Sequence, residues 1–261
     1  VVAPEGRGDV GGAVVRNGWG REKGEAGGRE ASAASLGALS RQAMASLTPP
    51  DLIIWPEATF TENHPEVQLA PDFLLPSRAT VSREEFLKRY REDEDAFQDK
   101  LYQVATGINQ VWRDGTIETL DIYLLVGTET VCFDSDRVRL HNSALLINPA
   151  GQIVDRYYKM HPVMFGEYIP FANMFPIIYK IAPMSSGLTP GEGAAAFQRA
   201  GNVIAPNICF ESSVPHLIRR HVVELTRQGE SPDILVNLTH DGWFFGSSIV
   251  DIQFAGTVFR A

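Results

Sequence analysis

A chain of 261 residues with 44% hydrophobic content can bury one large core or two small ones, so a single α/β domain is the economical reading. Its formal charge of -9, with no lysine or arginine cluster interleaved with aromatic residues, excludes a nucleic-acid partner. No stretch of about 18 uninterrupted apolar residues occurs, and the 2 cysteines, Cys132 and Cys209, are too few for a disulfide framework, so the redox compartment stays open.

Residues 1–33 are rich in Gly, Arg, Glu and Ala and offer few apolar anchors, which predicts disorder ahead of a catalytic domain over residues 34–261. Val1 in place of a methionine, and a C-terminus that reads as helix interior, predict a fragment truncated at its end. Leu36, Leu39, Ala43 and Leu47 recur at helical spacing, with Met44 widening the stripe, and Pro49 and Pro50 end that helix. A short apolar strand over 51–55 follows and leads to Glu57. Residues 59–80 hold several prolines and no period, which predicts a long loop over the site.

Ser82 with Glu85 has the capping-box spacing and opens a helix whose apolar stripe includes Phe86, Tyr90, Phe97, Leu101, Val104, Ile108 and Val111. The charged run over 89–95 reads as its solvated face. Strands are predicted over 122–128 and 143–148, and Pro149, Ala150 and Gly151 turn the latter into a hairpin with 152–158, which delivers Lys159. Residues 160–186 are apolar and aromatic but broken by Pro162, Pro170, Pro176 and Pro183, the pattern of a loop or short-helix lid. A strand over 203–209, a helix over 214–228, a strand over 233–238 and the start of a helix over 250–261 complete the chain, in an alternation that predicts an α/β sandwich.

A cysteine closing an apolar strand is by itself ordinary core. Cys209, however, shares its setting with Glu57 and Lys159, each just beyond an apolar strand, so thiol, carboxylate and ammonium could meet at one sheet edge, where α/β proteins place their chemistry. A thiol near its free pKa is only a few per cent ionised at neutral pH and needs a base or a nearby cation. Glu57 could take its proton, while Lys159 and the backbone N–H of Phe210 could stabilise an oxyanion. Glu167 is expected to orient Lys159 or an incoming amine, with a solvated loop carboxylate as the alternative. Glu211 is expected to accept backbone N–H groups at the strand-to-helix turn. Asn142 either reaches the site or forms a turn. Cys132 reads as a bystander. His216 and His221, five apart, share no helix face, so no metal is implied, and no cofactor is implied either: the glycines at 191 and 193 follow no strand as a dinucleotide fingerprint would require.

The sequences Trp-Pro-Glu ending at Glu57, Tyr-Lys-Met-His over 158–161 and Ile-Cys-Phe-Glu over 208–211 resemble those around the glutamate, lysine and cysteine of the nitrilase, or carbon-nitrogen hydrolase, superfamily. The resemblance implies a four-layer α-β-β-α sandwich, here without the family's first and last strands. Within that superfamily, His-Pro-Val-Met-Phe-Gly-Glu-Tyr-Ile-Pro over 161–170 and Asn-Leu-Thr-His-Asp-Gly-Trp-Phe-Phe-Gly over 237–246 resemble bacterial apolipoprotein N-acyltransferases.

That likeness implies transfer of a phospholipid acyl chain, as a thioester on Cys209, to the N-terminal amine of a lipoprotein's diacylglyceryl-cysteine. It implies work at a membrane surface, with the domain on the periplasmic side of the bacterial inner membrane. Glu57, Lys159 and Cys209 would be the triad, Glu167 and Glu211 supporting carboxylates, and Phe210 stands where the family has tyrosine. Met164, Phe165, Tyr168, Phe171, Met174 and Phe175 would line the lid and meet acyl chains. The alternatives are a soluble carbon-nitrogen hydrolase using the same triad and an inactive lipid- or peptide-binding module.

Overall fold

The computed structural model describes residues 12–14, 26–44, 49–60, 65–75, 81–164, 166–169, 187–240 and 255, and of residues 12–14 and 26–34 the backbone alone. Strand β1 (Gly12–Val14) runs parallel to β2 (Leu52–Ile54), and helix α1 (Ala26–Met44) lies between them in the chain. The sequence pattern places neither of these elements within residues 1–33. Residues 12–14 pair through their backbone with Leu52 to Ile54, so a strand precedes β2. Trp55 then ties the helix to the strand by donating its indole N–H to Ser40 at 3.1 Å.

The stretch expected to be an unbroken loop contains β3 (Glu66–Leu69), which pairs parallel with the far half of β6 (Tyr123–Phe133). Glu66 explains why four strands hold together here. It is buried and accepts from Arg156 Nε at 2.7 Å and from Thr130 Oγ1 at 2.8 Å, while Ser143 donates to the same threonine oxygen at 2.8 Å. A buried carboxylate is tolerated when its oxygens are this well matched.

Helix α2 (Arg83–Asn109) begins where Ser82 Oγ accepts from the Glu85 N–H. The Glu85 carboxylate turns instead to Arg89, at 2.6 Å. Between α2 and β6 the chain inserts a hairpin, β4 (Gln110–Arg113) with β5 (Thr116–Thr119). Its turn residues Asp114 and Gly115 both have positive φ, +47° and +82°, the two-residue turn that matches strand twist. Asn109 closes the insertion by accepting from Ile122 N at 2.7 Å and donating to Ile122 O at 2.9 Å.

Strands β6, β7 (Val138–Ile147) and β8 (Ile153–Tyr158) form an antiparallel meander, longer than the sequence pattern predicts because polar residues such as Thr128, Thr130 and His141 are also buried on it. The second sheet comprises β9 (Phe197–Arg199), β10 (Asn202–Ile208) and β11 (Ile234–Leu238), with β10 and β11 parallel. A 3-10 turn (Cys209–Ser213) and helix α3 (Pro215–Arg227) connect β10 to β11.

Two apolar clusters define the layers. One packs Leu36, Phe97, Leu101 and Ile108 of the helices on Ile53, Leu124 and Leu145 of the first sheet. The other fills the space between the sheets with Leu125, Leu146, Tyr157, Phe197, Ile204 and Ile208. This is the α/β sandwich expected. Residues 165, 170–186 and almost all of 241–261 lie outside the described residues, and with them the lid residues Phe165, Phe171, Met174 and Phe175 and the expected terminal helix.

Candidate active site

The first sheet leaves a gap along one side of β6. Strand β2 pairs with Tyr123 to Leu125 and β3 with Thr130 to Phe133, and residues 55–60 loop out opposite 126–129. Trp55 N donates to Leu125 O at 2.8 Å and Phe60 N to Gly127 O at 3.1 Å, pinning both ends of the loop. Glu57 sits at its centre. A β-carbon on Gly127 would stand 2.5 Å from the Glu57 Cα and 2.7 Å from Pro56 O, so only glycine admits this approach.

Lys159 follows β8 directly. Its N–H donates to Asn142 O at 2.9 Å and its carbonyl accepts from Gly191 N at 2.8 Å, which fixes the backbone on both sides. The side chain is 1% exposed. Its ammonium lies 2.7 Å from Glu167 Oε1 and 3.5 Å from Glu57 Oε1. Burial works against its charge, but Glu57 and Glu167, with Cys209, outweigh that and hold the ammonium above its ordinary pKa. This is a buried cluster and not a surface ion pair.

Both carboxylates are oriented by further donors. Asn142 Nδ2 donates to Glu57 Oε1 at 2.7 Å, and the His240 N–H to Glu57 Oε2 at 3.1 Å. Glu167 accepts the Val163 N–H at 2.7 Å on its other oxygen. Burial raises the pKa of Glu57 despite Lys159 and Asn142, so it is a stronger base than a solvated carboxylate.

Cys209 is the first residue of the 3-10 turn and not the last of the strand, with φ at +53°. For a residue with a β-carbon that left-handed conformation costs about 1–2 kcal/mol. Burial, then the Glu57 charge, push its thiol up to about 11 against the pull of Lys159 and a hydrogen bond from Thr239. The sulfur therefore rests as a thiol, within electrostatic range of Glu57, Lys159 and Glu167. Cys132, also raised by burial, sits on the helix-facing side of β6 and donates to Gln68 Oε1 at 3.5 Å, away from this cluster.

Glu211 is fully buried and accepts four hydrogen bonds: from Tyr157 OH at 2.8 Å, Ile208 N at 2.7 Å, Met160 N at 2.7 Å and His161 N at 2.9 Å. One carboxylate thus fastens the turn carrying Cys209 to the segment that follows Lys159. Burial raises its pKa against those donors. Sequence reasoning placed Glu211 at its own turn and missed the partners on the other sheet. It also missed Tyr157, which stacks on His221 at 5.5 Å between ring centroids. His221 is buried and bonded to the Ala195 backbone. Gly191, which follows no strand, packs against the end of β8. Its place is explained by a β-carbon there standing 2.2 Å from Tyr158 O.

Of the residues expected to form a lid, Met164 and Tyr168 form a bridge, and Met164 is 53% exposed; Phe210, next to Cys209, is 45% exposed. Among the described residues no group of three or more His, Cys, Asp or Glu side chains could hold a metal ion.

A family model described as carbon-nitrogen hydrolase matches residues 26–249. The chain is 29% identical over 228 residues to an apolipoprotein N-acyltransferase of Rhodopirellula baltica, covering 84% of this chain and 39% of that protein. It is 30% identical over 223 residues to an apolipoprotein N-acyltransferase of Geobacter metallireducens, covering 85% and 34%. It therefore spans less than two fifths of the length of these relatives. A carbon-nitrogen hydrolase from Helicobacter pylori G27 has a similar structure, with a TM-score of 0.50 at 14% identity over 89% of this chain and 64% of that one, a likeness of fold alone.

Proposed function

This chain belongs to the carbon-nitrogen hydrolase family, and we propose that it is the catalytic domain of an N-acyltransferase, which moves a phospholipid acyl chain through a thioester on Cys209 to the N-terminal amine of an apolipoprotein. The observation that carries the chemistry is the buried ammonium of Lys159, clamped between Glu57 and Glu167 within electrostatic range of the Cys209 sulfur. The acyl-transfer reading is supported by relatives that bear that name over most of this chain.

In this reading Cys209 Sγ attacks the ester carbonyl of the acyl donor as its proton passes to Glu57. Because the thiol rests near 11, a standing thiolate is scarce at neutral pH and proton transfer accompanies attack. The oxyanion is met by Lys159 and by the Phe210 N–H. When the tetrahedral intermediate collapses, the lysophospholipid alkoxide leaves with the proton held by Glu57, and the thioester remains. The α-amine of the diacylglyceryl-cysteine then attacks, gives a proton to Glu57, and expels Cys209, which recovers it. Glu167 keeps Lys159 charged and placed throughout. Glu211 holds the two strand ends in register.

Donor and acceptor are both lipids, so the domain works at a membrane surface, on the periplasmic side of the bacterial inner membrane. Exposed Met164 and Phe210 suit that contact. No helix among the described residues is long and apolar enough to cross a membrane.

The test is incubation of the full-length protein with phospholipid vesicles of one defined acyl chain, followed by intact mass. The expected result is an acyl adduct on Cys209 that hydroxylamine removes and Cys209→Ser lacks. Hydrolysis of small amides with no such adduct would overturn the reading in favour of a hydrolase.

A further inference from the structure

The left-handed turn at Cys209 is held from the neighbouring strand by a pair of asparagines. Asn207 and Asn237 lie opposite each other in the parallel register of β10 and β11. Asn237 Nδ2 donates to Cys209 O at 3.0 Å and to Asn207 Oδ1 at 2.5 Å, which uses both of its hydrogens. Asn207 Nδ2 in turn donates to Val236 O at 3.1 Å, so its amide cannot rotate freely. Ser212 Oγ adds a second donor to the Cys209 carbonyl at 3.3 Å.

A trans peptide is planar, and its C=O and N–H point in opposite directions. Anchoring the Cys209 carbonyl toward β11 therefore aims the Phe210 N–H away from β11. We infer that Asn237, backed by Asn207, is a positioning residue that sets the Cys209–Phe210 peptide plane so that the Phe210 N–H faces the developing oxyanion. Neither asparagine touches the sulfur or substrate in this role; each acts through the peptide plane. The inference rests on Cys209 being the nucleophile that attacks an acyl carbonyl, and it holds whichever acyl donor is natural.

Two reactions of the same sulfur separate this role from a general structural one. Acylation by a p-nitrophenyl ester passes through an oxyanion, whereas alkylation by iodoacetamide displaces iodide at a saturated carbon and forms none. In the full-length protein, Asn237→Leu removes the donor without adding charge, and Asn237→Ser does so with less bulk should the leucine variant not fold. The expected result is a p-nitrophenolate burst slowed on the order of 10- to 100-fold, with the rate and pH profile of Cys209 alkylation unchanged. An unchanged burst, or a loss of equal size in both reactions, overturns the inference. Absence of any burst from the unsubstituted protein overturns it together with the nucleophile reading. A normal burst without acylation by phospholipid vesicles sinks only the choice of donor.

Discussion

Lys159 carries its ammonium 2.7 Å from Glu167. The same ammonium is 3.5 Å from Glu57, so one buried cation is shared by two carboxylates, and the pair would be strongly unfavourable without it. Lys159→Met is expected to destabilise the fold by about 3–5 kcal/mol, the cost of stranding buried charge, and to abolish acylation of Cys209. Adding Glu167→Gln to it removes one of the stranded charges and should recover part of that stability and none of the activity. Urea unfolding of the single and double variants measures this; equal stability of the two would show that the carboxylates are not coupled through the lysine.

Glu57→Gln should change two properties of Cys209 in opposite directions. The Glu57 charge is among the causes that hold the thiol near 11, so its removal shifts the inflection of iodoacetamide alkylation to lower pH and speeds alkylation at neutral pH. The same change removes the proton acceptor, so acyl transfer falls by about 10²–10⁴-fold. Mass-spectrometric alkylation rates across pH, set beside acylation rates, decide it. Parallel loss of both would mean that Glu57 holds the fold and not the proton.

Glu211 and Tyr157 should separate by magnitude. Tyr157→Phe removes one of four hydrogen bonds to the carboxylate and costs about 1–2 kcal/mol, with Lys159 left in place. Glu211→Gln replaces an acceptor of four donors by a group that itself donates, so it should cost more, about 3 kcal/mol or above, and release the segment after Lys159. Denaturant midpoints with an acylation assay compare them; a harmless glutamine would exclude Glu211 as the link between the two strand ends.

Gly127→Ala tests the site through its backbone, without changing any charge. The new methyl group would meet the Glu57 backbone at 2.5 Å, and since β6 is anchored on both sides the loop bearing Glu57 must yield. A shift of about 1 Å in a reacting group can cost about 100-fold in rate. Acylation should fall to that extent while alkylation of Cys209, which needs no positioned base, falls less.

The local parts of the site could be read along the chain. The short strands that lead to Glu57 and Lys159, the capped helix opened by Ser82 and the hairpin turned at Pro149, Ala150 and Gly151 all depend on residues a few positions apart. The hairpin at Asp114 and Gly115 carried a legible signal as well, since Asp-Gly between strands favours that turn. Strand β3 did not, because Glu66 is a strand residue only when Arg156 and Thr130 arrive to satisfy it.

Residue order and local pattern alone determined which side chains are candidates for the chemistry, that strands alternate with helices, and that a turn follows the strand leading to Cys209, because side-chain chemistry and short-range periodicity are written in neighbouring positions. Tertiary structure alone decided that Glu211 ties Met160 and His161 to the cysteine turn, that Asn237 grips the Cys209 carbonyl, and that Gly127 makes room for Glu57. Each of those contacts joins residues at least 28 positions apart in the chain. Whether such a pair meets depends on sheet order and register, and these are fixed by burying two apolar clusters at once, a condition on the whole chain that no single stretch contains.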